Sequence, residues 1–106
     1  MRLGAYPCVI KEKTLASRLY GMDQVSERHR HRWEVNPKYI ETLTENGFVF
    51  SGKYPNKNLM EMVELPKHRY FIGSQFHPEF KSRLEKPAPL FVGLVRAAIN
   101  RQVAGD

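Results

Sequence analysis

The stretch that most constrains the fold is Tyr70-Phe71-Ile72-Gly73-Ser74-Gln75-Phe76, a near-continuous apolar run followed directly by His77-Pro78-Glu79-Phe80. A strand with one wet face alternates apolar and polar residues, so a run this unbroken predicts burial on both faces, with other layers on either side of its sheet. That points to an α/β architecture. In open α/β sheets ligands bind beyond the carboxyl ends of the strands, which is where His77 falls. A histidine that moves protons near neutral pH needs a carboxylate to fix its tautomer and stabilise its imidazolium. Pro78 stiffens the backbone between the two groups, making His77 and Glu79 a candidate proton-transfer pair. A solvated surface pair has the same spacing, and the hexapeptide by itself leaves both readings open.

The remaining segments read as shorter strands and helices. Ala5 to Ile10 is a short apolar strand whose Pro7 argues against a central position. Thr14 to Tyr20 is a brief helix with Leu15, Leu19 and Tyr20 on one face and Gly21 as its stop. Asn36 is an N-cap candidate with Pro37 in the first turn, and Tyr39, Ile40 and Leu43 form a stripe ended by Asn46-Gly47. Residues 48–53 and 59–65 flank a polar loop and predict a hairpin, the second strand partly covered on both faces because Glu61 and Glu64 lie on opposite sides of it. Leu90, Phe91, Leu94, Val95, Ala98 and Ile99 form a helical stripe expected to pack on the sheet, with fraying after Asn100. No repeat or low-complexity tract interrupts the order.

With 106 residues the chain is expected to be one domain over 1–106. Its 42% hydrophobic and 26% charged residues are ordinary globular usage. No apolar run approaches the roughly 18 residues of a membrane span, and the N-terminus lacks a signal-peptide core. The expectation is a cytoplasmic protein without membrane partners. The single cysteine, Cys8, excludes an internal disulfide framework and a cysteine-rich zinc site. Its bulky neighbours Tyr6, Pro7, Val9 and Ile10 do not resemble the tight, small-residue turn that exposes a nucleophilic thiol, so Cys8 reads as a packed structural thiol. The net charge of +6 centres on Glu27-Arg28-His29-Arg30-His31-Arg32-Trp33-Glu34. That block reads first as a basic edge strand facing solvent. Second, one of its arginines could clamp a carboxylate or phosphate through paired hydrogen bonds. Third, His29 and His31 could hold a metal, although two imidazoles make a thin site. Nucleic-acid binding is not expected.

Three blocks, Met1 to Cys8, Glu27 to Asn36 and Gln75 to Arg83, together resemble the C-terminal part of the class I, triad-type glutamine amidotransferase domain of the CTP synthase family. The resemblance spans essentially the whole chain. Arg-His-Arg-His-Arg joined to Glu-Val-Asn is its most specific part, since His-Pro-Glu is shared by many triad-type amidotransferases. It implies a flavodoxin-like mixed sheet with flanking helices, incomplete on the N-terminal side. It further implies a synthetase part that uses ATP and Mg²⁺ to phosphorylate UTP, a glutaminase part that hydrolyses glutamine and passes on ammonia, GTP as an activator, and a homotetramer. By the same resemblance His77 moves protons, Glu79 orients it, and Arg32 holds the glutamine α-carboxylate. Trp33, beside Arg32, replaces the family's usual aromatic at the glutamine site. The family's Gly-x-Cys-x-Gly nucleophile elbow and oxyanion-hole loop lie upstream of the Met-Arg-Leu-Gly block. The expectation is therefore a fragment with two of three catalytic residues, no cofactor of its own and no activity alone. An alternative of another class is a non-catalytic anion- or nucleotide-binding module using the Arg28–Arg32 strip.

Overall fold

Thr14 and Gly21 bracket the first helix as their chemistry dictates. The Thr14 hydroxyl accepts from Ser17 N at 3.1 Å, and Gly21, at φ +70°, adopts the left-handed turn that other residues avoid. In the computed structural model, which describes residues 2–57 and 59–104, this helix is α1 (Leu15–Tyr20), between β1 (Arg2–Ile10) and β2 (Gln24–His31). Asn36 accepts from Lys38 N and Pro37 opens a 3₁₀ turn, Pro37–Tyr39, that runs into α2 (Ile40–Glu45). The expected hairpin is β3 (Val49–Lys53) and β4 (Met60–Glu64); β5 (Ile72–Ser74), a second 3₁₀ turn (Pro78–Phe80) and α3 (Pro89–Ala104) complete the chain.

The strands form one sheet in the order β2-β1-β3-β4-β5, and all four pairings are antiparallel. The α/β arrangement is as expected, with this part of the sheet antiparallel throughout. Pro7 sits in a strand with neighbours on both sides, yet β1 meets β3 only through Val9 and Ile10. At Pro7 the missing N–H therefore costs no ladder bond on that side. β4 is covered on both faces, with Met60, Glu61, Met62 and Glu64 all buried.

Two expectations are corrected. The run 70–76 does not form one long strand buried on both faces. β5 has three residues, lies at the sheet edge and is only partly buried, and Phe71, just before it, is 42% exposed. Its apolar length is used differently. After β5 the chain leaves the ladder, Gln75 N donating to Glu61 O at 2.9 Å and His77 N to Arg28 O at 2.8 Å, so the curled sheet is bridged from β4 to β2. Phe76, 3% exposed, is driven into the core beneath that bridge with Cys8, Ile10, Ala16, Met62 and Leu90. The apolar stripe of α3 does not pack on the sheet either. Leu90 and Gly93 face inward, whereas Phe91, Leu94, Val95 and Ile99 are 41–57% exposed. Fraying was expected after Asn100, but the helix continues to Ala104; residues 105–106 lie outside the described residues. Among the described residues no helix is long and apolar enough to cross a membrane.

Candidate functional site

The bridge from β4 to β2 fixes His77. Its amide is bonded to the edge strand, and burial of the preceding Phe76 ring, a contribution of about 1.5–3 kcal/mol, locks the segment from behind. Pro78 then starts the 3₁₀ turn, closed by Phe80 N donating to His77 O and Lys81 N to Pro78 O. The turn returns Glu79 to the imidazole, with Nδ1 of His77 2.8 Å from Oε2 of Glu79. The phenyl ring of Phe80 stacks on the imidazole at 5.0 Å and 22°. Lys81 Nζ donates to Ser26 O at 2.6 Å, a second tie to β2. One imidazole nitrogen is thus engaged by carboxylate and one ring face is covered, while the side chain stays 38% exposed. The hydrogen bond from His77 holds the Glu79 carboxyl below the usual carboxylate range. Such a pairing can serve as a general acid–base group with an orienting carboxylate.

The basic block divides by parity. On β2 Glu27 and His29 point inward and are buried, while Arg28 and Arg30 point outward. A cavity of about 390 Å³ is lined by Leu3, Gly4, Arg28, His29, Arg30 and Phe80, so the ring stacked on His77 also borders the exposed arginines. Arg32 and Trp33 lie just past the end of β2 and are exposed, Trp33 by 79%. At roughly 3.3 Å per residue Arg32 stands about 13 Å along the chain from Arg28, whose carbonyl holds His77. The structure thus brings His77 and Glu79 into contact and sets Arg32 and Trp33 on the same sheet edge, apart from them. Cys8 is in neither place. It is fully buried in the core, and burial, reinforced by the Glu61 charge, pushes its thiol up to about 12.

Sequence reasoning missed the groups behind this surface. Glu61 on β4 is fully buried and accepts two hydrogen bonds from Arg2, at 2.7 and 2.8 Å; Arg2 also reaches Glu34 at 3.2 Å. Burial alone would raise the Glu61 carboxyl, but His29 and Arg2 outweigh it and hold it below the usual range. The period-2 alternation of Arg and His carried this information: on a strand it separates a cationic face from an imidazole face. Among the described residues no group of three or more His, Cys, Asp or Glu side chains could hold a metal ion.

With this geometry in place, comparison with known proteins is informative. The family model for glutamine amidotransferase class-I matches residues 1–97. The CTP synthase of Thermococcus gammatolerans is 63% identical over 106 residues, which are 99% of this chain and 20% of the relative. That of Thermococcus kodakarensis is 64% identical over 103 residues, 96% of this chain and 19% of the relative, and that of Chlorobium phaeobacteroides is 54% identical over 98 residues, 92% and 17%. The chain thus spans about a fifth of the length of the curated relatives it matches. Among solved structures, the glutaminase domain of Trypanosoma brucei CTPS with bound acivicin superposes with a TM-score of 0.89 at 37% identity, over 94% of this chain and 40% of that one. The resemblance read from the three sequence blocks holds along nearly the whole chain.

Proposed function

The chain belongs to the class-I glutamine amidotransferase family, and we propose that it is the proton-transfer half of the glutaminase domain of a CTP synthase. The observation that carries this reading is the His77–Glu79 hydrogen bond in a turn tied twice to the basic strand β2. In this reading glutamine enters with its α-carboxylate toward Arg32, whose guanidinium matches a carboxylate with two parallel N–H donors. Trp33 flanks that end. At the other end His77 accepts the proton of an attacking thiol, then delivers it to the ammonia that leaves the amide, while Glu79 holds the imidazole in the required orientation. Water resolves the acyl-thiol, again with His77 as base, and glutamate departs.

The thiol comes from a segment other than 1–106. Cys8 is unsuited because it is buried in the core and hard to ionise, whereas the nucleophile must be an accessible thiolate. ATP, Mg²⁺ and GTP belong in this reading to the longer enzyme, and no step assigned to these residues passes through them. The rival reading, an anion- or nucleotide-binding module, uses the exposed Arg28, Arg30 and Arg32 without any chemistry at His77.

Co-expression with an upstream segment bearing the Gly-x-Cys-x-Gly elbow tests the proposal. The isolated chain is expected to hydrolyse glutamine no faster than its His77→Ala variant. The reconstituted pair is expected to be active, and to lose about 10²–10⁴-fold in rate on His77→Ala. Activity of the isolated chain that disappears on Cys8→Ser would overturn the assignment of the nucleophile. Equal activity of the reconstituted pair with and without His77 would overturn the role of the histidine.

A further inference from the structure

His29 and His31 take no part in the proposed reaction, yet they form a continuous chain of contacts through the protein. The His29 side chain is fully buried, and its Nε2 lies 3.0 Å from Oε2 of Glu61, the carboxylate sitting off the N–H axis so that the contact is more electrostatic than directional. Nδ1 of His29 meets Nε2 of His31 at 2.9 Å. Nδ1 of His31 in turn lies 3.0 Å from the Trp33 carbonyl oxygen and 3.4 Å from Oε2 of Glu34. Both ends of this chain are acceptors, a carboxylate and a carbonyl. Two neutral imidazoles supply the N–H for both hydrogen bonds, and a third N–H is what Nε2 of His29 needs to face the Glu61 carboxylate at 3.0 Å as a charge contact.

The charge count gives the same answer independently. Glu61 and Glu34 contribute two negative charges, and Arg2, bonded to both, contributes one positive charge. One proton shared by the imidazoles balances the cluster. Without it a negative charge would be left over in a site where Glu61 and His29 have no solvent exposure, which is costly. The other groups facing the pair do not supply that balance. Tyr6 and Phe76 offer ring contacts to His29 at 5.4 and 5.9 Å, and Glu27 and Cys8 add no positive charge.

We propose that His29 and His31 share one proton between Glu61 and the Trp33 carbonyl, and that this pair positions the Arg32–Trp33 turn. The two histidines are positioning residues. The importance of the turn for glutamine rests on the reading of Arg32 and Trp33 given above. That proton lets each of the three contacts keep its N–H, including the donor to the Trp33 carbonyl that holds the turn.

Trp33 is the sole tryptophan and reports the turn directly. Long-range ¹H–¹⁵N imidazole spectra are expected to show three protonated nitrogens across the pair wherever Trp33 is immobile. Trp33 fluorescence anisotropy is expected to be high under the same conditions. His31→Asn keeps a donor where Nδ1 faces Trp33 and loses the link to His29; it should retain the anisotropy. His31→Gln reaches His29 instead and should lower the anisotropy throughout. Two neutral imidazoles in the unaltered chain at a pH where Trp33 is immobile would overturn the shared proton, and this measurement needs no variant to fold. Unchanged Trp33 anisotropy in a natively folded His31→Gln chain would overturn the positioning role. If Trp33 loosens in His31→Gln while the reconstituted enzyme keeps its KM for glutamine, the positioning stands and the assignment of Arg32 and Trp33 to glutamine fails.

Discussion

At the scale of single residues, the pairing of His77 with Glu79 is the feature that does most to define the site, and it has a titration signature. The Glu79 carboxyl is held low by its hydrogen bond to His77. The pair is therefore fully formed at pH above the ordinary carboxylate range and is lost only as pH falls through the lowered Glu79 value. In His77→Ala the Glu79 carboxyl is expected to titrate higher, toward an ordinary glutamate, as followed by carboxyl ¹³C shifts. An unmoved titration would show that the hydrogen bond is not what holds it. The pair was legible because Pro78 leaves few conformations between the two side chains. Its neighbours were less so. That Phe80 stacks on His77 depends on the 3₁₀ turn, which the sequence does not announce. That His29 and His31 turn inward depends on which side of β2 the core lies, and a basic, alternating strand does not reveal this until Glu61 is placed opposite.

At the scale of elements, α1 shows how little a short helix owes to itself. Six residues are too few to be stable alone. α1 is held by a carboxylate distant in sequence: Oε1 of Glu64 accepts from Leu15 N at 2.8 Å and Oε2 from Ala16 N at 3.0 Å. Gly93 lets α3 approach α1 closely, since a Cβ there would lie 2.6 Å from a Leu19 methyl. Glu64→Ala is expected to destabilise the chain by about 1–3 kcal/mol, leaving the buried Ala16 amide and the half-buried Leu15 amide unmet, measurable as a lower urea midpoint with an unchanged slope. A loss below about 0.5 kcal/mol, no more than an ordinary surface change, would assign α1 to local propensity instead. The caps of α1 and of the Pro37 turn were legible from Thr14, Gly21, Asn36 and Pro37, because capping is local chemistry. β5 and α3 were misread because an apolar run says that something must cover it but not what. The run at 70–76 uses its last aromatic, Phe76, as the buried anchor, and α3 turns Leu90 and Gly93 inward.

At the scale of the whole molecule, the exposed row of Phe91, Leu94, Val95 and Ile99 is the largest departure from the sequence reading. Such a row favours association, so the isolated chain is expected to bind an apolar dye and to self-associate with concentration. Leu94→Glu should suppress both in light scattering while leaving the melting temperature unchanged, because Leu94 is 54% exposed; a marked fall in melting temperature would mean that this face is part of the chain's own core. The α/β class and the order of elements could be read from the sequence, whereas the curl of the sheet could not, since it depends on hydrogen bonds between Gln75 and Glu61 and between His77 and Arg28. That curl has a further consequence for the outer strand. Among the described residues β2 has no neighbouring strand on its far side, and an open edge is a template on which a foreign strand can add. Here the carbonyls of Arg28 and Ser26 are already taken, by the amide of His77 and the ammonium of Lys81. The turn that presents the histidine therefore also acts as a guard against aggregation: whatever frees it to move exposes β2 to intermolecular pairing, so misfolding and loss of the site share one structural cause.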